Sequence, residues 1–257
     1  MAVASMSAQS HLHDAPAKAP KYIFYYIGDG MGMGPVMAAQ DYYHFILGND
    51  KPLLMMQFPV VSWCQTWSAS STTTDSAAAG TALATGTKTR NGMLGMAPDT
   101  TAVQSIAATV HEHGWGVGLV SSVADDDATP GAFYAHVANR GMSYEIDSCY
   151  AASGYEFLGG PGLRGLAGER GADLQPMFDK AGIQLVRGRD GIAQINSRKA
   201  MLFNEDPYNP HEIGYTVDST ENALTLPILA QPCLDHLMKY SPDHFFMMVE
   251  GGNIDHA

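Results

Sequence analysis

A serine stands at the mouth of a small-residue helix in Thr72-Thr73-Thr74-Asp75-Ser76-Ala77-Ala78-Ala79-Gly80-Thr81. Asp75 and Ser76 fall where an N-cap is expected, and Ala77 to Ala84 form a helical run that ends near Gly86. The first backbone N–H groups of such a helix are unpaired and carry the positive end of its dipole, so they favour an anion. A hydroxyl held there is a candidate nucleophile toward phosphorus. Taken alone, the same residues also read as a capped, Ala-rich core helix. Three further segments deliver acids in a similar way. Tyr22 to Ile27 is an aromatic and β-branched run followed by Gly28-Asp29-Gly30-Met31-Gly32, which places Asp29 just past the carboxyl end of a strand. Ligands bind there in open parallel sheets, although a lone turn aspartate usually bonds its own backbone. Val117 to Ser122 is a second apolar strand, leading into Asp125-Asp126-Asp127-Ala128-Thr129-Pro130. Three adjacent acids repel, so this is either a solvated loop or a cation site, and in isolation the loop reading prevails. Phe245 to Val249 is a last strand, ending in Glu250-Gly251-Gly252-Asn253-Ile254-Asp255-His256.

The four segments share one arrangement. Each brings an acid or hydroxyl to what becomes one edge of a sheet, so Asp29, Ser76, Asp127, Thr129, Glu250 and Asp255 are expected to converge. Carboxylates gathered this way repel unless cations neutralise them, which implies metal. Oxygen ligands suit a hard ion such as Mg²⁺, whereas zinc normally takes some imidazole or thiolate.

The chain resembles the alkaline phosphatase family. The matching residues are Ile27 to Gly32, Asp75 to Ala82, Thr87-Lys88-Thr89-Arg90-Asn91-Gly92, Asp127 to Pro130, Ala135-His136-Val137-Ala138-Asn139-Arg140 and Glu250 to His256, in the family's order from about Tyr22 onward. The resemblance implies roles for them. Ser76 matches the phosphorylated nucleophile, and Asp29 the carboxylate bridging a zinc and the magnesium site. Asp127, Thr129 and Glu250 match the rest of the magnesium side, and Asp255 a ligand of the other zinc. Arg140 matches the guanidinium that clamps two phosphate oxygens, and Asp75 the acid that orients it. A planar Arg fork reads two phosphate oxygens in a way Lys does not. The implied cofactors are two Zn²⁺ and one Mg²⁺, acting on small phosphate monoesters through a phosphoserine at alkaline pH.

The same resemblance implies a zinc-binding histidine four residues after Asp255, and a later Asp-His pair and further histidine. His256 is adjacent to Asp255 and does not match a ligand. Nor do His11, His13, His44, His111, His113, His136, His211, His236 and His244 stand in those motif contexts. On this basis the chain reads as an N-terminal portion with a nearly complete magnesium side and an incomplete zinc side, expected to be inactive as it stands. The alternatives are a non-catalytic truncated fragment and another hydrolase of the same superfamily, such as a phosphodiesterase or sulfatase. The Asp75 to Thr81 segment paired with Arg140 argues against the latter. A Ser-His-Asp hydrolase is disfavoured because no GxSxG surrounds Ser76.

The elements needed to position these residues alternate as in α/β proteins. Strands are predicted at 22–27, 60–66, 117–121, 183–186 and 245–249. Helices are predicted at 35–47 (Met37, Ala38, Tyr42, Phe45 and Ile46 on one face), 76–85, 101–113, 131–139 and 176–181, with a Pro-broken helix over 222–239. Gly-rich residues 141–175, with a turn beside a short strand at Phe157 to Pro161, read as a surface insertion carrying Arg164 and Arg170. The expected fold is a three-layer α/β sandwich around a largely parallel sheet, incomplete on its C-terminal side. Residues 1–20 are expected to be a disordered tail or signal-peptide remnant, and 21–257 a single phosphatase domain.

Composition narrows the function classes. The hydrophobic content of 46% supports a globular chain, and a net charge of −12 argues against nucleic-acid binding. No run approaches membrane-spanning length. Cys64, Cys149 and Cys233 lack CxxC spacing and are expected to be free thiols. Small residues before Gln9 look like the end of a signal sequence, and with the family resemblance they favour a periplasmic or secreted protein. A homodimer is compatible with that reading.

Overall fold

The computed structural model describes residues 20–206, 209–218 and 223–257, so the reading of the first 19 residues lies outside the described residues. Among these, six strands form one sheet: β1 (Tyr22–Gly28), β2 (Gly116–Ser121), β3 (Phe157–Gly160), β4 (Ile183–Arg187), β5 (Lys199–Phe203) and β6 (Phe245–Gly251). Their spatial order is β1-β6-β2-β3-β5-β4, and every neighbouring pair is parallel. Parallel pairs need crossovers, and here helices supply most of them. In chain order these are α1 (Met33–Asp41), α2 (Ser76–Thr85), α3 (Ile106–Glu112), α4 (Ala128–Gly131), α5 (Ser143–Ser153), α6 (Arg164–Ala167), α7 (Gly171–Ala181), α8 (Gly188–Ile192), α9 (Leu226–Tyr240) and α10 (Asn253–His256).

The central strands β2, β3 and β6 are apolar without alternation because both faces of the sheet are covered there, whereas the edge strand β1 leaves Phe24 and Tyr26 exposed. On β6, Phe246 and Met248 join one core with Val117, Leu119, Ile146, Leu174 and Phe178, while Phe245, Met247 and Val249 join another with Leu229, Cys233 and Leu237. The first core lies under α2, α3, α5 and α7, and the second under α9. This gives the expected three layers. Glycine at 118 lets α9 approach β2, since a Cβ there would meet the Cys233 sulfur at 2.4 Å.

Several predicted elements differ from those observed. Residues 60–66 are extended but pair with no strand, and Val60, Val61 and Trp63 are exposed. Without a ladder partner, β propensity there has nothing to act on. The helix predicted over 35–47 is α1, followed by a π-helical turn at Tyr42–Ile46, and its supposed apolar face is exposed. Helix 101–113 begins only at Ile106, after the Ser105 side chain caps it by accepting from the Ala108 N–H. The helix predicted at 131–139 does not form: the one-turn α4 ends at Gly131, and Val137 is drawn into an antiparallel bridge with Leu94. Residues 141–175 are not a surface insertion. They supply α5, α6, the first part of α7 and the fully buried β3. Gly159 and Gly160 are small there because the Phe157 ring and the Asp125 carboxylate occupy the space of a Cβ.

The helix predicted at 176–181 starts five residues earlier, at Gly171, and runs through Pro176. Helix 222–239 becomes α9, with Pro227 in its first turn and Pro232 inside, and residue 222 lies outside the described residues. Strand β5 has no counterpart in the predicted elements. Cys64, Cys149 and Cys233 are free thiols, as expected.

Candidate active site

The carboxyl ends of β1, β6 and β2 lie side by side, and the site is built from the turns and helices that leave them. Register pairs Ile27 with Glu250 and Ser121 with the same Glu250, so the three chain ends are adjacent. The turn after β1 carries Asp29, whose N–H donates to the Gly251 carbonyl at 3.3 Å and ties it to the end of β6. Gly30 holds a left-handed φ of 64°, and a Cβ there would lie 2.2 Å from the Asp255 carboxylate, so Asp255 sits directly against the Asp29 turn.

Ser76 is the first residue of α2 and Asp75 is its N-cap. One Asp75 oxygen accepts the Ala78 N–H at 2.9 Å, and the other accepts the Gly92 N–H at 2.9 Å. The Ser76 hydroxyl donates to Asp29 Oδ2 at 2.7 Å, joining residues that are 47 positions apart in sequence. The capped serine and the strand-end aspartate therefore meet in one hydrogen bond. A cavity of about 580 Å³ opens beside them, with Asp29, Ser76 and Thr129 on its wall and Ile27, Trp67 and Leu83 among its apolar lining.

Glu250 is fully buried. Its Oε2 accepts from the Ser121 hydroxyl at 2.6 Å, and its Oε1 has no hydrogen-bond partner. Burial pushes its carboxyl up to about 7; the Ser121 and Thr129 hydroxyls oppose this, and the charges of Asp29 and Asp127 add to it. Asp127 caps α4 by accepting the Ala128 N–H at 2.7 Å. Burial raises its carboxyl, but Arg164 and Arg140 prevail and hold it below the usual range. Arg140 donates to Asp127 Oδ1 at 2.8 Å and lies 3.6 Å from Asp75 Oδ2, so Asp127 is its nearer carboxylate. His136 Nδ1 lies 2.8 Å from the Gly95 carbonyl oxygen. His256 turns to Glu212 at 3.2 Å.

Asp29, Ser76 and Asp255 thus gather on one side, and Asp127, Thr129 and Glu250 on the other. Two features escaped the sequence reading. Arg164, read as part of a surface insertion, is paired with Asp126 and reaches Asp127. The acid run Asp125-Asp126-Asp127, read in isolation as a solvated loop, is buried. Both Asp125 oxygens lack hydrogen-bond partners, and burial, with Asp126 and Glu250 adding, pushes that carboxyl well above its ordinary range. An arginine placed after a Gly-Pro-Gly turn that follows a strand was the available signal for Arg164, and Ser121 at the end of β2 was the signal for the Glu250 contact.

Among the described residues, no three His, Cys, Asp or Glu side chains are grouped closely enough to chelate a metal alone. The set nevertheless fits magnesium. A buried, orphaned Glu250 oxygen faces the charges of Asp29 and Asp127 beside the Thr129 hydroxyl, all donors are oxygen, and Mg²⁺ retains several waters in its shell. Zinc does not fit this chain's described residues in the same way. The cavity at Ser76 has no histidine in its lining, and tetrahedral zinc depends on imidazole or thiolate.

The site is thus a serine at the start of a helix set against the carboxyl ends of a parallel sheet. The sequence profile of the alkaline phosphatase family matches residues 20–156, and the chain belongs to that family. Alkaline phosphatase of Schizosaccharomyces pombe is 26% identical over 267 residues, covering 96% of this chain and 50% of that protein. The human tissue-nonspecific isozyme is 25% identical over 296 residues, covering 92% and 55%. The chain therefore spans about half the length of these relatives. Alkaline phosphatase from Thermus thermophilus superimposes with a TM-score of 0.81 at 26% identity, covering 92% of this chain and 50% of that one. The enzyme from the Antarctic bacterium TAB5 gives 0.77 at 27%, covering 92% and 66%, and a variant of it has Mg bound in its M3 site.

Proposed function

We propose that this chain carries the nucleophile and magnesium side of a phosphomonoesterase that works through phospho-Ser76. The observation that carries the reading is the Ser76–Asp29 hydrogen bond at the positive end of α2, with Asp75, Arg140 and Asp127 at the same mouth. Asp29 accepts the Ser76 proton in the resting site and fixes the hydroxyl oxygen toward the cavity. The positive end of the α2 dipole and the Arg140 fork favour the charge that builds on the phosphoryl oxygens. Asp75 keeps that fork aimed by bonding both the helix and Gly92. Asp29, Asp127, Thr129 and Glu250 would hold magnesium, in line with the Mg-bound relative, and when bound it supplies charge neutralisation of this acidic edge. Recognition centres on the phosphoryl group, so small phosphate monoesters are the substrate class.

The test is chemical trapping. The protein is mixed with p-nitrophenyl phosphate and Mg²⁺ at alkaline pH, quenched in acid and digested. A phosphoserine on the Ser76 peptide, absent in Ser76→Ala, is the expected result. Turnover that survives Ser76→Ala refutes the assignment. A second reading, phosphate binding without turnover, is favoured by the lack of imidazole at the cavity, and binding of inorganic phosphate with no trapped phosphoserine would select it.

A further inference from the structure

Arg140 faces a conflict in this structure. To clamp two phosphoryl oxygens it must release Asp127, whose Oδ1 it now holds at 2.8 Å. A mostly buried carboxylate left without a cation is costly, so Asp127 would hold Arg140 back. Arg164 resolves this. Its backbone N–H donates to Asp126 Oδ2 at 3.1 Å, its Nε to Asp126 Oδ1 at 3.1 Å, and its Nη2 to the Asp126 carbonyl at 3.0 Å. Asp126 has no exposed side-chain surface, so the guanidinium is pinned. From that anchor the same Nη2 lies 3.5 Å from Asp127 Oδ1, the oxygen that Arg140 also uses. Two guanidinium groups therefore converge on one carboxylate oxygen, one tethered and one at the mouth of the site.

We propose that Arg164, anchored by Asp126, is a positioning residue: it retains the Asp127 carboxylate when Arg140 turns to the phosphoryl group. It touches no substrate. Its effect is to make the release of Arg140 cheap, and it explains why a second buried aspartate stands next to Asp127. This rests on the phosphate-binding reading given above.

Calorimetric titration of inorganic phosphate into the full chain, in chelator so that metal binding by Asp127 does not enter, tests the inference. Arg164→Gln is expected to weaken phosphate binding about ten-fold, equivalent to about 1.4 kcal/mol, and Arg164→Lys to recover part of that. Adding Asp127→Asn to Arg164→Gln should restore affinity, because no carboxylate then competes for Arg140. A purely structural role for Arg164 would not be undone by a change at Asp127. Unchanged affinity in Arg164→Gln overturns the inference, as does a double variant as weak as the single one. Should Arg164→Gln fail to fold by circular dichroism, the Arg164→Lys and Arg164→Lys/Asp127→Asn pair decides in the same way. A wild-type chain that takes up no phosphate in chelator overturns this inference, whereas phosphoserine trapping in Mg²⁺ decides the proposed function by itself, so the two failures are told apart.

Discussion

Glu250→Gln should make the metal-free protein more stable at alkaline pH while leaving it unchanged in acid. The buried Glu250 carboxyl is pushed from an ordinary 4.5 up to about 7. A folded state that holds the proton more tightly than the unfolded chain is favoured below both values. It loses that advantage as pH rises from about 4.5 to about 7. The difference corresponds to about 3 kcal/mol once Glu250 is ionised in both states. At about pH 3.5, below both values, the protonated acid and the amide are close isosteres, and urea unfolding in chelator should give equal stabilities. At pH 8 the glutamine variant should exceed wild type by about 3 kcal/mol. Asp125 shifts in the same direction, so both proteins should lose stability with pH, and the difference between them isolates Glu250. Adding magnesium at pH 8 should raise wild type and not the variant, because ligand bound only to the native state stabilises it. Equal stabilities at pH 8, or parallel pH profiles, would refute both the burial argument and the assignment of Glu250 to a cation.

The remaining predictions concern the frame of the site. Asp75→Ala removes the cap of α2 and the Gly92 contact, and should cost about 2 kcal/mol in urea unfolding; a change near zero would show that neither bond matters. Gly30→Ala forces a side chain into a left-handed φ and into Asp255. It should cost on the order of 1–3 kcal/mol, and a variant with unaltered thermal unfolding would contradict the packing of Asp255 against the Asp29 turn.

The parts of this fold that sequence revealed are those where local pattern and final environment agree. β2 and β6 are continuous apolar runs that end up between two layers, β1 is an apolar run at the sheet edge that packs one face and exposes Phe24 and Tyr26, and α2 has a cap, an alanine run and Gly86 in the left-handed conformation at its end. Ser76 opens α2, Glu250 lies at the end of β6, and Asp29, Asp127, Thr129 and Asp255 come after β1, β2 and β6, which is why sequence singled them out. The misreadings arise where long-range contacts reverse the local signal. Gly159 and Gly160 look like flexible chain, yet they are glycine because side chains crowd a central strand. Asp125 and Asp126 look solvated, yet they are sealed beneath the site by residues 160–165, far away in sequence. Residues 60–66 have strand composition but no neighbour to pair with, and nothing local reveals that lack.

The position of β6 in the sheet has a consequence for biosynthesis. It is the last described strand in sequence, but it lies between β1 and β2, and the only described ladder of β1 is the register that begins with Tyr22 opposite Phe245. On the ribosome, β1 therefore emerges before the other five strands and waits, its aromatic residues unpaired, until the segment from Phe245 to Gly251 has been made. Closing so long a loop is entropically slow, and it exposes the nascent strand edge throughout. The turn bearing Asp29 cannot meet Glu250 before that moment, so among the described elements the edge that gathers Asp29, Ser76 and Glu250 assembles last, and a chaperone that shields β1 during translation would act on the yield of this site before any other.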